Sequence, residues 1–203
     1  MDKNGISIEF KYNEREIEGI DEFKKEVESS YSSQCHELGL PSCSEGGELI
    51  LKIILETDWS SFVAGAVASG LLWDGIKCAG KTFILKPLAN AIDKLFKRNE
   101  DGYVLKLVKT SFIFENIEIL VYGLSDNYKD ELDKILYHIS TRIDEIEEEH
   151  NLQIVTIELP YYYDEDNELL YVQDSLSDKY KEPQLIKFVF QNDESYYEEF
   201  NVI

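Results

Sequence analysis

Positive charge is scarce in this chain. Lys and Arg number 20 against 41 Asp and Glu in 203 residues, a formal net charge of −21. A protein that docks directly on nucleic acid or anionic lipid needs a basic face to displace counterions, so neither contact is expected. Cysteine is scarce too: Cys35, Cys43 and Cys78 are an odd set that builds no disulfide scaffold, and reduced thiols in a cytoplasm are their simplest reading. Long hydrophobic runs are missing. The longest uncharged stretch, residues 60–73, lies between Asp58 and Asp74 and falls short of the roughly 20 residues a membrane-spanning helix needs, so no stable membrane anchor is expected. Residues 1–12 alternate apolar and polar and carry Asp2 and Glu9, unlike a secretory signal with its basic start and apolar centre.

What is present suits a folded chain, because 43% hydrophobic and 12% aromatic residues are too many for an acidic disordered tail. Ile6, Ile8, Phe10 and Tyr12 alternate with polar residues as in a half-buried strand. Asp21 is placed to cap a helix bearing Phe23, Val27 and Tyr31, with Gly39 and Pro41 as its stop. Residues 49–55, interrupted only by Lys52, predict a central strand covered on both faces. Residues 60–96 predict helix with a break near Gly80 or Pro87. Residues 103–108 and 112–122 predict a hairpin. Leu132, Ile135, Leu136, Ile139, Ile143 and Ile146 give the clearest helical stripe, with Ser125 as its cap. Residues 152–159 predict a strand ended by Pro160, and shorter strand-like runs follow at 169–172 and 185–190.

This order lacks the regular alternation of a doubly wound parallel sheet. It predicts an α+β fold: a mixed β-sheet packed by three helical segments, with an acidic β-containing C-terminal appendage. The division expected is a core domain over residues 1–160 and an acidic, tyrosine-rich extension over residues 161–203.

The charge is unevenly spread. Residues 59–110 hold eight basic against four acidic side chains, whereas residues 111–203 hold six against 23. Within the late segment Tyr161, Tyr162, Tyr163, Asp164, Asp166 and Glu168 have the composition of a protein interface, aromatic area beside steering charge, and point to a partner with a basic surface. Neighbours on a strand face opposite sides, so three consecutive tyrosines cannot all enter one core. Tyr196, Tyr197, Glu198, Glu199 and Phe200 repeat the pattern, and Glu147, Glu148 and Glu149 crowd a helix end where carboxylates are electrostatically unfavourable. The Asp164, Asp166 and Glu168 spacing starts like a calcium loop but has Leu169 where that loop needs Gly and Ser175 where it needs Glu.

Residues 75–82 match G-x-x-x-x-G-K-[ST] letter for letter. Gly75 and Gly80 would shape a phosphate cradle, Lys81 would reach the terminal phosphates and Thr82 would hold magnesium. The context argues against it: small residues precede the motif in place of a β-branched strand, Pro87 follows closely, and no apolar strand ending in Asp lies downstream. Nucleotide binding is the alternative reading, and a membrane-active or oligomerising helix at residues 60–73 is another. Cys35, His36 and Cys43 fit no strong zinc spacing, and no nucleophile elbow is present. No catalytic residue, metal or cofactor is assigned.

The segments ISIEFKY, ELILKIILE, SFVAGAVASGLLW and YVLKLVK, in that order, resemble small bacterial α+β modules that accompany effectors in conflict and defence systems. The high negative charge is similar to that of acidic immunity proteins that plug the basic active site of a nuclease-type toxin. The resemblance implies a non-enzymatic immunity, inhibitor or accessory role and carries over no residue assignment.

Overall fold

The computed structural model describes residues 6–12, 17–37, 47–67, 85–99, 105–124, 128–164, 169–172 and 184–200. The fold is α+β. Nine strands are described: β1 (Ile6–Tyr12), β2 (Ser32–Glu37), β3 (Glu48–Leu55), β4 (Lys106–Ile113), β5 (Glu118–Leu124), β6 (Ile154–Asp164), β7 (Leu169–Val172), β8 (Gln184–Phe190) and β9 (Ser195–Phe200). They form one mixed sheet in the order β2-β1-β3-β4-β5-β6-β8-β9, with β7 paired to the far part of β6. Four helices are described: α1 (Ile20–Ser30), α2 (Trp59–Val67), α3 (Lys86–Arg98) and α4 (Tyr128–His150). The expected 60–96 helical segment is thus two helices, and residues 68–84 lie outside the described residues.

Period-two alternation places one face of the sheet in the core. Ile6, Ile8, Phe10 and Tyr12 of β1, Leu49, Leu51, Ile53 and Leu55 of β3, and Ile186, Phe188 and Phe190 of β8 are all buried on the same side. All four helices pack there. Phe23 of α1 meets Phe10 edge-on at 5.2 Å, Phe62 of α2 meets Phe114 at 4.8 Å, and the Tyr128 ring of α4 stacks on Phe96 of α3 at 5.7 Å. The α4 stripe is buried throughout, as its periodicity predicts. The opposite face of the sheet carries no helix among the described residues.

Several expectations change. Residues 32–37 form a strand parallel to β1, which their polar sequence conceals. The α1 N-cap is Gly19, at φ 83, and Asp21 lies inside the first turn without a capping bond. The helix ends at Ser30, and Gly39 and Pro41 lie outside the described residues, as does the Ser125 expected to cap α4. The β3 strand is central but buried on one face only, with Ile50, Lys52 and Ile54 half-exposed on the other. The β4–β5 turn falls at residues 114–117, where Phe114 N donates to Ile117 O at 2.9 Å, and residues 109–111 lie inside β4. Pro87 sits at the start of α3, where its missing N–H costs nothing, and so does not kink a helix. Pro160 does not end β6 either. It falls at a register shift between Glu158 and Tyr161, the kind of position that tolerates proline, and the strand continues to Asp164.

Residue 160 therefore lies inside one strand, and residues 184–200 are integral to the sheet. β8 hydrogen-bonds to β6, β9 to β8, and Ile186, Phe188, Phe190 and Phe200 belong to the same hydrophobic core as β1 and α4.

Candidate functional site

Tyr161 leads the tyrosine and carboxylate cluster expected from the sequence, and the structure turns it onto the sheet face opposite the helices. It is buried there by its neighbours. Its hydroxyl donates to Glu158 Oε2 at 2.5 Å, Lys187 Nζ lies 5.2 Å above its ring, and Tyr197 meets it edge-on at 5.8 Å. Burial, and then the negative Glu158, push the Tyr161 hydroxyl pKa well above its ordinary value. Tyr161 is a fixed part of the face and not an extended ring offered to solvent. Tyr162, Tyr163 and Asp164 form the end of β6, where Tyr162 pairs with Tyr171, Tyr163 with Leu170 and Asp164 with Leu169. Asp166 and Glu168 lie outside the described residues.

The second tyrosine and acid group divides between the two sides of β9. Tyr197 and Glu199 stand on the same face as Tyr161, while Tyr196, Glu198 and Phe200 turn towards α4. Glu198 is committed within the fold: both its oxygens accept from Arg142 Nε at 3.0 Å, and His138 Nε2 lies 3.0 Å from Oε1. These bonds raise the Arg142 pKa further, the hydrogen bond it donates to Glu198 being the main cause. Charge-assisted bonds at a largely shielded carboxylate are the strong kind, so Glu198→Gln is expected to cost about 1–2 kcal/mol in urea denaturation, with Glu199→Gln near zero as the comparison.

At the end of α4, Glu147 also has a structural duty. Its Oε1 accepts from Ile154 N at 2.8 Å, joining the helix end to β6 across the left-handed Asn151 at φ 52. His150 packs its ring on Phe190 at 4.9 Å and Tyr196 at 5.1 Å. Glu148 and Glu149 remain exposed.

A further group escaped the sequence reading. Tyr137 is 65% exposed on the outward side of α4, the largest exposure of any big apolar side chain among the described residues. Helical spacing puts Asp133 and Thr141 one turn away from it and Asp130 and Asp144 two turns away, with Glu148 beyond, so a tyrosine stands in an acidic stripe. Among the described residues Asp144, Glu148 and Glu149 make no ion pair, whereas Glu145 is held by Arg142. The available signal was an aromatic residue one step off the apolar stripe of its helix.

The phosphate-loop residues Gly75, Gly80, Lys81 and Thr82 all lie outside the described residues. The nearest described elements on either side are the helices α2 and α3. Cys43 and Cys78 also lie outside, and Cys35 and His36, adjacent on β2, face opposite sides of it. Burial raises the Cys35 thiol pKa. Among the described residues no group of three or more His, Cys, Asp or Glu is placed to hold a metal, and no helix is long and apolar enough to cross a membrane. No family model matches the chain, and no curated protein or solved structure matches it.

Proposed function

We propose that this chain is a non-enzymatic protein-interaction module that binds a basic surface of another protein. The observation that carries this reading is the outward side of α4, where the 65% exposed Tyr137 stands in a stripe of carboxylates, of which Asp144 and Glu148 make no ion pair among the described residues. A tyrosine ring buries large area at low entropic cost and is a frequent hot spot, while surrounding carboxylates steer and select a cationic partner. The strand end at Tyr162, Tyr163 and Asp164, with Asp166 and Glu168 after it, offers the same chemistry in a second place. An immunity or inhibitor protein, or an accessory component of a bacterial conflict system, is the form of module this charge suits.

The test is affinity capture by the immobilised chain at low salt, read by mass spectrometry. The wild type should retain a basic protein, and its retention should fall as salt rises. Tyr137→Ala combined with Asp144→Asn and Glu148→Gln should weaken the complex by about thirtyfold or more, the effect of losing one hot spot. A captured set unchanged by that variant, and unchanged again when Asp164, Asp166 and Glu168 become Asn or Gln, contradicts the reading.

A further inference from the structure

We draw no further inference here: the strongest candidate, the side-chain cluster of Cys35, Tyr12 and Lys24 where α1 packs on β1 and β2, rests on a lone cysteine, and no second feature among the described residues points to a ligand there.

Discussion

Phe188→Ala is expected to lower the unfolding free energy by about 3–5 kcal/mol, the cost of emptying a fully buried aromatic site. Phe188 is 0% exposed, sits opposite Ile157 of β6 and faces the Tyr196 ring at 6.2 Å. A domain of this kind has about 5–15 kcal/mol in all, so the variant should lose a large share of its stability. The same reasoning predicts that a chain ending at residue 160 does not fold cooperatively. It would uncover Ile154 and Ile157 and leave Ile139, Ile143 and Ile146 of α4 without the β8 and β9 side chains that complete their core. Urea denaturation checks both. A loss below about 1 kcal/mol for Phe188→Ala, an ordinary surface value, would mean that residues 184–200 are a detachable appendage after all.

Alkaline unfolding between about pH 10 and 12 is the second large effect expected. Tyr31 is buried with its hydroxyl accepting from Leu88 N at 3.2 Å, and burial pushes its pKa up to about 12. Tyr128 is shifted the same way and further, by burial and then by Asp93, to whose Oδ1 it donates at 3.0 Å while also donating to Ala89 O at 2.9 Å. These hydroxyls keep their protons in the fold at a pH where the unfolded chain has lost them. The stability they contribute is fully present below the unfolded pKa of about 10 and falls as pH rises towards the folded value, by about 1.4 kcal/mol per unit for each group. Tyr31 alone loses roughly 2.7 kcal/mol over two such units, with Tyr128, Tyr161 and Tyr197 shifted in the same direction. Tyrosinate absorbance and circular dichroism followed together should change in one cooperative step. Smooth tyrosine titration centred near pH 10 with unchanged secondary structure would contradict the assignment.

Elements whose side chains face one core were legible from the sequence. The alternation of Ile6 to Tyr12 and the three- and four-residue steps from Leu132 to Ile146 record burial directly, and both elements are where their patterns put them. Elements at an edge or an irregularity were not. β2 reads SSQCHE because an edge strand turns few side chains inward, and Cys35 is among the few that pack on the core. β6 passes through Pro160 because its neighbours shift register there, a fact held in β8 and β7 and not in the local sequence. The candidate surface divided similarly. Tyrosine beside carboxylate was visible as composition, but the inward turn of Glu198 towards Arg142 depends on a partner 56 residues away.

The central claim is that the outward face of α4 meets a basic protein surface. Carbodiimide labelling of carboxylates, with and without the captured partner and read by peptide mapping, tests it most directly. Labelling at Asp144 and Glu148 should fall several-fold in the complex and recover at high salt, while exposed Glu22 in the first turn of α1 stays unchanged. Undiminished labelling at Asp144 and Glu148 in a complex that persists would contradict the claim.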